Sequence, residues 1–492
     1  GALGFQCRQP GFHINVAAGD VLGILADIAH AACLAHGSQK RAVVVHRHPH
    51  GVVSAAVVIL FSAVNAGGLH PCIVGLDRSH QGFAGGVKVG GFHRQAGVVD
   101  DFLRGLIGSG FGGVLGDKAT VKSARGAVVV VAFLRGGLGG AVAAVVAADA
   151  AGKYVYYLSS EISPVEKQLF RVEVKSGKKN RLTTEEGWHN ITMSGDCAYF
   201  IDNYSSIKVP RNVDLTTNAG KVVRRLQEVE NPNKDYNFGE ITLGKIKADD
   251  GSDLYYRLIK PMDFDPNKKY PVIHYVYGGP HAQLVTNTWN ALLRTWEMYM
   301  AQHGYVVFVI DNHGTPNRGK AFEDIIHRQC GQVEMKDQVK GIEWLKSFPW
   351  VDANRIGVHG WSYGGFMTIS LITNYPDIYK VAVAGGPVID WKWYEVMYGE
   401  RYMDTPQENP EGYAKTSLIA KAKDLKGKLL ICQGAVDPVV VWEQSLSFIR
   451  ECIKNNVQVD YFPYPCAEHN VMGRDRIHLM QKVTNYFEDY LK

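Results

Sequence analysis

A serine between glycines is the clearest chemical signal in the chain. Gly360, Ser362 and Gly364 form a G-x-S-x-G pattern within HGWSYGG at 359–365. The run before it, RIGVHG, is typical of a buried strand, and the run after it, FMTISLITNY, is typical of a helix. A serine on a sharp strand-to-helix turn exposes its hydroxyl oxygen, and small flanking residues let neighbouring backbone pass close by. The pattern therefore predicts a nucleophilic serine at position 362.

A carboxylate and a histidine follow further along the chain, each after a strand-like run. Asp437 follows KLLICQG, and Glu468-His469 follows VQVDYFPYP. His469 would accept the serine proton, while Asp437 would orient the imidazole and stabilise the imidazolium that forms. Either residue alone would more often be an ordinary loop or core residue, but the order Ser, Asp, His is that of α/β-hydrolases. The predicted catalytic triad is Ser362, Asp437 and His469.

The segments around these residues alternate between strand and helix, as expected for a parallel sheet with an α/β fold. Residues 236–270 are predicted to form a hairpin that leads into this sheet. The strands are then expected in PVIHYVYGGPHAQ, YVVFVIDNHG, RIGVHG, VAVAGG, KLLICQG and QVDYFPY. The predicted fold class for 236–492 is therefore an α/β-hydrolase domain.

Several segments near these residues carry a family resemblance. They are HGWSYGGFMT, DLKGKLLICQGAVDPVVVW, YPCAEHNVMGRDR and the most specific run, GGPVIDWKWYEVMYGERYMDTPQENPEGY. With them the chain resembles the catalytic domain of the prolyl oligopeptidase family, in its dipeptidyl peptidase IV branch. The resemblance is dense over 236–492 and thinner back to about residue 151. It implies a serine peptidase without metal or cofactor, a periplasmic or cell-surface location, and homodimers.

The resemblance also implies the donors that would stabilise the negative oxygen of an acyl-transfer intermediate. One is the backbone N–H of Tyr363, directly after the serine. The other is the hydroxyl of Tyr277 in the VYGGPHAQ loop. A lone tyrosine is more often a core residue, so this assignment depends on the loop motif.

A proline ring on the substrate calls for a rigid apolar pocket with aromatic walls. By resemblance, the positions that form this pocket are Tyr363, Val388, Trp391, Tyr394, Tyr398 and Val440. Val439 stands where dipeptidyl members carry an asparagine. Tripeptidyl members resemble this chain at that position. Glu395 stands where tripeptidyl members place a glutamate that pairs with the substrate's amino terminus; otherwise it would be a surface carboxylate. His313 in DNHG departs from the arginine usual in the family.

Residues 1–150 differ in composition from the rest of the chain. They contain no Glu, Tyr, Trp or Met, yet they hold 27 of the 53 glycines and 9 of the 18 histidines. Ordinary globular domains have a more even composition. The segment remains unassigned, and a wrongly joined reading frame explains its composition better than a new domain does. His46, His48 and His50 are a weak metal-site candidate, because no cysteine or carboxylate ligands lie at suitable spacing.

Residues 151–235 carry alternating strand patterns, such as KYVYYLSS and HNITMSGDCAYFIDN, separated by turn residues. They resemble the last part of the β-propeller that precedes the catalytic domain in this family. A whole propeller needs many more residues, because each blade packs against its neighbours. Only a partial propeller is therefore expected.

Bulk composition excludes some classes of function. The formal charge of +5 arises within residues 1–150, where 12 Lys and Arg face 7 Asp, and no basic stripe with interleaved aromatics predicts nucleic-acid binding. The eight cysteines lack C-x-x-C or metal-type spacing and are expected to be mostly buried thiols. No secretory leader pattern is found, and no run of apolar residues is long enough to span a bilayer.

The sequence thus predicts a serine exopeptidase that cleaves after proline near the amino terminus of peptides, releasing tripeptides through an acyl-enzyme. The alternatives are release of dipeptides, a catalytically silent fragment that lacks most of its propeller, and a general esterase or acylaminoacyl peptidase. The expected partners are peptide substrates.

Overall fold

The computed structural model describes residues 3–6, 13–16, 120–124, 127–131 and 142–492, apart from Asn237 and Leu293. Most of the unassigned segment 1–150, including His46, His48 and His50, lies outside these residues. The described residues fall into two compact units. The first contains the strands before residue 138 with 145–156 and 171–180, and the second contains 142–144, 157–170 and 181–492.

The strands are numbered along the chain. The first unit holds two antiparallel pairs, β1 (Leu3–Gln6) with β2 (His13–Val16) and β3 (Thr120–Ala124) with β4 (Ala127–Val131). The next strands are β5 (Val142–Ala148), β6 (Tyr154–Ser159), β7 (Gln168–Glu173) and β8 (Lys179–Arg181). They are followed by β9 (Trp188–Met193), β10 (Tyr199–Ser205), β11 (Arg211–Thr217) and β12 (Val222–Val229), which form a four-stranded antiparallel sheet in sequential order. Such a sheet is the unit of a propeller blade.

The site is carried by an eight-stranded sheet. Its strands are β13 (Ile241–Lys247), β14 (Asp253–Ile259), β15 (Tyr270–Tyr275), β16 (Val306–Ile310), β17 (Val351–Trp361), β18 (Val381–Gly385), β19 (Lys428–Gly434) and β20 (Asp460–Tyr464). The order in the sheet is β13-β14-β16-β15-β17-β18-β19-β20. The hairpin β13–β14 is antiparallel and pairs antiparallel with β16, whereas the strands from β16 to β20 run parallel. The carboxyl ends of the parallel strands therefore meet at one edge of the sheet.

Helices cover both faces of this sheet. They are α1 (Thr295–Gln302), α2 (Lys320–Asp324), α3 (Gln332–Lys346), α4 (Tyr363–Asn374), α5 (Val396–Met403), α6 (Pro410–Thr416), α7 (Trp442–Lys454) and α8 (Gly473–Tyr490), with short 3-10 turns at Trp289–Leu292, Trp391–Trp393 and Ile419–Asp424. One core cluster packs α3, α4 and α7 against the sheet through Ile342, Phe366 and Phe448. A second cluster packs α1 and α8 through Met300 and Phe487. This two-faced burial explains the continuous apolar runs of the central strands.

The predicted strands and the hairpin are confirmed with small shifts at their ends. The segment KLLICQG forms β19 over its full length, while β17 begins at Val351, before the predicted RIGVHG. Helix α4 begins at Tyr363 instead of Phe366, so two glycines lie in its first turn. Glycine disfavours helix interiors, but both glycines are buried against neighbouring backbone. Close packing therefore overrides propensity here.

The described cysteines match the expectation of mostly buried thiols. Cys197, Cys330, Cys432 and Cys452 are buried and free, and Cys466 is free and exposed. Among the described residues, no group of three or more His, Cys, Asp or Glu side chains is placed to hold a metal ion. Within the same residues, no helix has the length and apolar character needed to span a bilayer.

Candidate active site

Ser362 occupies a strained turn between β17 and α4. Its backbone has φ 64° and ψ −120°, a left-handed conformation that non-glycine residues rarely adopt. The Ser362 N–H donates to the Gly385 carbonyl oxygen at 2.8 Å, which fixes the turn against the end of β18. At Gly360, a Cβ atom would overlap the carbonyl oxygen of Val276, so only glycine fits beside the serine. This is the geometry expected for an exposed nucleophile.

Asp437 and His469 form a hydrogen-bonded pair in the loops after β19 and β20. His469 Nδ1 lies 2.7 Å from Asp437 Oδ2, and Asp437 Oδ1 accepts the N–H groups of Val439 and Val440 at 2.8 and 2.9 Å. The Asp437 side chain is fully buried, whereas 14% of the His469 side chain is exposed. A proton on Nδ1 shared with this carboxylate leaves Nε2 free to accept a proton.

The end of β18 brings this pair to the serine. Gly385 holds the Ser362 N–H, and a Cβ at the next residue, Gly386, would lie 3.3 Å from His469 Cε1 and 3.6 Å from Asp437 Oδ2. Two consecutive glycines therefore bind the serine backbone on one side and, lacking side chains, leave room for the imidazole and carboxylate on the other. The three residues of the predicted triad share one small region at the carboxyl edge of the sheet.

Tyr277 and Tyr363 lie beside each other next to this region, with ring centroids 6.0 Å apart. Within the described part of the chain, the Tyr277 hydroxyl has no hydrogen-bond partner, and burial together with the nearby Tyr402 raises its pKa. It therefore remains a protonated donor at neutral pH. The Tyr363 N–H stands at the first position of α4, where it has no acceptor within the helix. Asn312 Nδ2 donates to the Gly278 carbonyl at 3.0 Å and holds the Tyr277 loop in place.

Sequence reasoning missed Glu334, which anchors the tyrosine after the serine. Its Oε1 atom accepts the Tyr363 hydroxyl at 2.7 Å and the Gly331 N–H at 2.8 Å. The side chain is fully buried, and burial raises its pKa to about 7. Among the described residues, its Oε2 atom has no partner. A glutamate three residues into a helix is a capping signal, but nothing in the sequence points from it to Tyr363.

The predicted proline pocket forms a continuous aromatic wall. Trp391 is buried, and its ring centroid lies 5.3 Å from that of Tyr363, 5.6 Å from that of Tyr394 and 5.9 Å from that of Tyr398. Val388 and Val440 are also buried. Burial raises the pKa of Tyr394 to about 12, with further contributions from Tyr277, Glu395 and Asp437. The pocket therefore adjoins both the oxyanion loop and the triad carboxylate.

Two glutamines hold the backbone of this pocket, and neither carries a motif. Gln444 Oε1 accepts the N–H groups of Ile389 and Asp390 at 2.8 and 2.9 Å. Gln433 Nε2 donates to the Val440 carbonyl at 2.5 Å. Both amides are fully buried, so these bonds fix the pocket loops firmly.

Glu395 lies on the surface at the start of α5. Its carboxylate accepts the Met397 N–H at 3.0 Å and so caps that helix. Val439 is 42% exposed and offers no polar side-chain atom. Both residues are accessible at the rim of the pocket loops, but Glu395 also has a structural contact that the sequence did not indicate.

His313 stands where an arginine is usual in the family, and its side chain makes the contacts that hold the neighbouring loop. His313 Nδ1 lies 2.7 Å from Asp337 Oδ2, Nε2 lies 3.2 Å from Asp250 Oδ2, and the ring stacks on Phe322. Burial lowers the pKa of His313, but the two aspartates more than offset it, so the net shift is upward. A charged His313 can thus connect two carboxylates, as an arginine would.

Comparison with known families finds matches to two regions of the chain. The model of the prolyl oligopeptidase family matches residues 292–492, and the model of the dipeptidyl peptidase IV N-terminal region matches residues 139–211. Residues 292–492 therefore belong to the prolyl oligopeptidase family. The chain combines this α/β-hydrolase domain with a partial propeller that matches the N-terminal region of the dipeptidyl peptidase IV branch.

Relatives in the prolyl oligopeptidase family are longer than this chain. Human dipeptidyl peptidase 8 is 33% identical over 338 residues, which cover 66% of this chain and 37% of the relative. A probable dipeptidyl peptidase 4 of Aspergillus flavus is 33% identical over 319 residues, which cover 63% of this chain and 41% of the relative. The chain therefore spans well under half of the length of these curated relatives.

Solved structures in this family share the fold. A putative dipeptidyl aminopeptidase IV from Bacteroides ovatus is 46% identical, with a TM-score of 0.69, and the match covers 76% of this chain and 54% of that one. Dipeptidyl peptidase 4 of Porphyromonas gingivalis is 31% identical, with the same TM-score and coverage. The likeness thus extends well beyond the catalytic motifs.

Replacing Glu334 by glutamine should change how stability depends on pH. The folded-state pKa of about 7 lies above the ordinary 4.5, so the stability contributed by the protonated carboxyl is present at low pH and is lost as pH rises through 7. Glutamine keeps the acceptor for Tyr363 and does not ionise. Between pH 5 and pH 8, we expect the unfolding free energy of Glu334→Gln to rise relative to the native chain by roughly 2–4 kcal/mol.

Urea titrations at several pH values would measure this difference. Glu343→Gln, in the same helix but paired with Lys346 at the surface, is the matched control and should show no such trend. Parallel pH profiles for the native chain and Glu334→Gln would contradict a buried, protonated Glu334.

Proposed function

We propose that the chain is a serine peptidase that cleaves peptides after proline near their amino terminus. The observation that carries this proposal is the placement of the Asp437–His469 pair against Gly386, beside the residue that holds Ser362. Membership of the prolyl oligopeptidase family supports the same chemistry. Because the chain spans only part of its relatives, its activity is inferred from this site and not from theirs.

The proposed reaction proceeds through an acyl-enzyme. Ser362 Oγ attacks the carbonyl carbon of the proline residue while His469 Nε2 takes its proton, and Asp437 stabilises the imidazolium. The negative oxygen of the intermediate accepts hydrogen bonds from the Tyr363 N–H and the Tyr277 hydroxyl. His469 then protonates the leaving amine, and water attacks the ester in the second half of the reaction with His469 again as base.

Proline specificity would come from the pocket of Tyr363, Val388, Trp391, Tyr394, Tyr398 and Val440. A pyrrolidine ring is compact, rigid and apolar, so aromatic walls bind it with little loss of conformational freedom. Glu334 would assist by fixing the Tyr363 ring through its hydroxyl.

The length of the released peptide separates two versions of the proposal. Release of tripeptides is supported by Val439, which lacks the amide of dipeptidyl members, and by the accessible carboxylate of Glu395. Release of dipeptides is supported by the names of the relatives and solved structures compared above, which are dipeptidyl peptidases or a dipeptidyl aminopeptidase. We propose tripeptides as the main product and dipeptides as the alternative.

The proposed domains are a propeller part at 151–235 and a peptidase domain at 236–492. The propeller part is short, so it would restrict access to the site less than a complete propeller does. We also propose a homodimer by family resemblance, which sedimentation equilibrium would test. The rival proposals are a silent fragment and a general esterase.

Replacing Ser362 by alanine should reduce kcat by roughly 10⁴- to 10⁶-fold, because the whole triad depends on its nucleophile. A fluorophosphonate probe should phosphonylate Ser362 in the native chain, with fluoride as the leaving group, and should leave the variant unlabelled. Absence of labelling in the folded native chain would indicate a silent fragment. Cleavage of small esters without cleavage of prolyl amides would indicate an esterase.

Tyr277→Phe should lower kcat by about 10²- to 10³-fold with little change in KM, because the lost hydrogen bond forms mainly in the transition state. Steady-state kinetics on a prolyl amide would measure both constants. Tyr402→Phe removes a neighbouring phenol that has no assigned role and serves as the control. A rise in KM alone would identify Tyr277 as a binding residue instead.

Charge removal at Glu395 should weaken cleavage of Ala-Ala-Pro amides while amino-blocked substrates are spared, since the carboxylate would pair with the terminal ammonium. Because Glu395 also caps α5, Glu395→Asn is tested beside Glu395→Gln: asparagine can still cap a helix but has no charge. The ratio of kcat/KM for Ala-Ala-Pro and Ala-Pro amides decides between tripeptides and dipeptides. An unchanged ratio in both variants would remove Glu395 from the site.

A further inference from the structure

A cavity of about 440 Å³ lies beside β17, between the first turns of α1 and α8. Its wall includes Tyr275, Arg294, His359, Trp361 and Arg476. The size is within the range of small-molecule pockets. None of these residues belongs to the proposed triad, oxyanion donors or proline pocket.

Two guanidinium groups at this cavity lack a carboxylate partner among the described residues. Arg294 lies on the surface at the start of α1, and its guanidinium is 5.1 Å from the centre of the Tyr275 ring. Arg476 lies in the first turn of α8, and its pKa is lowered by burial and then by the like charge of Arg294. Two neighbouring positive charges repel each other, and an anion bound between them would offset this repulsion.

Glu297, a carboxylate in the first turn of α1, is already paired with another arginine. Glu297 Oε2 accepts a hydrogen bond from the buried guanidinium of Arg257. That carboxylate is therefore already engaged and does not compensate Arg294 or Arg476. The positive charge of these two arginines remains available to a ligand.

The buried hydroxyl group of Tyr275 is a second, independent indication that this cavity binds a ligand. Tyr275 is 2% exposed, and its hydroxyl oxygen has no hydrogen-bond partner in the described structure. Burial raises the pKa of Tyr275 to about 12, so the hydroxyl remains a donor. Buried donors nearly always have an acceptor, and an oxygen of a bound anion would provide one here.

We propose that this cavity binds a phosphate dianion, either free phosphate or the phosphate group of a small monoester. Arg294 and Arg476 provide the charge and planar donors that match phosphate oxygens, and Tyr275 donates to a further oxygen. Thr295 and Trp296, in the first turn of α1, also line the cavity, and the positive end of a helix dipole favours an anion. The volume leaves room for a small organic group beside the phosphate.

A ligand bound in this cavity would affect the proposed active site through two residues of the cavity wall. Trp361 lines the cavity, directly precedes Ser362, and donates its indole N–H to the His469 carbonyl at 2.9 Å. His359, also in the wall, donates from Nδ1 to the Val383 carbonyl at 2.8 Å and so ties the cavity to β18. Phosphate is therefore expected to change kcat as well as to bind.

Calorimetric titration with inorganic phosphate would test the proposal, with potassium chloride at matched ionic strength as the reference. We expect binding to the native chain and roughly tenfold or greater weakening in Arg476→Gln and in Arg294→Gln, since each removes a charge-assisted contact. Tyr275→Phe should weaken binding less. Arg474→Gln, an exposed arginine in the same turn of α8 that does not line the cavity, should bind as the native chain does.

A parallel titration with glycerol 3-phosphate identifies the source of the ligand: tighter binding than inorganic phosphate indicates a monoester, and weaker binding indicates free phosphate. Absence of binding at 10 mM of either compound, on the order of the weakest specific affinities, would overturn the proposal. Equal affinity in Arg294→Gln, Arg476→Gln and Arg474→Gln would do the same. Because Arg294 is exposed, its variant is expected to fold even if Arg476→Gln does not. Binding is measured without turnover, so this result is independent of the proposed peptidase activity.

Discussion

The contact made by the end of β18 is the constraint on which the site depends. Gly385 accepts the N–H of Ser362, while Gly386 lies against the imidazole of His469 and the carboxylate of Asp437. A side chain at Gly385 would overlap the ring of Trp361, and that ring in turn holds the His469 carbonyl. The strained turn, the base and its carboxylate are therefore aligned by two residues that have no side chain. Parallel pairing of β17, β18 and β19 sets the positions of these residues.

Around this contact lie buried polar groups whose pKa values are raised or that carry no charge. Burial raises the pKa of Tyr277, so its hydroxyl stays protonated at neutral pH, and raises the pKa of Glu334 to about 7, so its carboxyl is neutral below that pH. Gln433 and Gln444 carry no charge at all and are fully buried. Neutral groups of this kind give directional hydrogen bonds without the desolvation penalty of buried ions.

Sequence alone was sufficient where a local pattern dictates structure. The alternation of apolar runs with turn residues located the strands from β15 to β20, and the glycine-flanked serine marked the turn after β17. Contacts between residues that are far apart in the sequence could not be predicted, because no local pattern marks them. Glu334 reaches Tyr363 across 29 positions, and Gln444 reaches Asp390 across 54. Each depends on how α3 and α7 pack on the sheet, and an isolated glutamate or glutamine in an amphipathic helix resembles any solvated residue.

The location of the base has a consequence for how the protein loses activity. His469 follows β20, which among the described strands pairs only with β19 and forms one edge of the eight-stranded sheet. Edge strands open in local fluctuations that leave the centre of a sheet intact. The nucleophile, in contrast, is anchored to central strands that are hydrogen-bonded on both sides. Heating would therefore separate the base from the serine before the sheet as a whole unfolds, and inactivation would precede the loss of secondary structure.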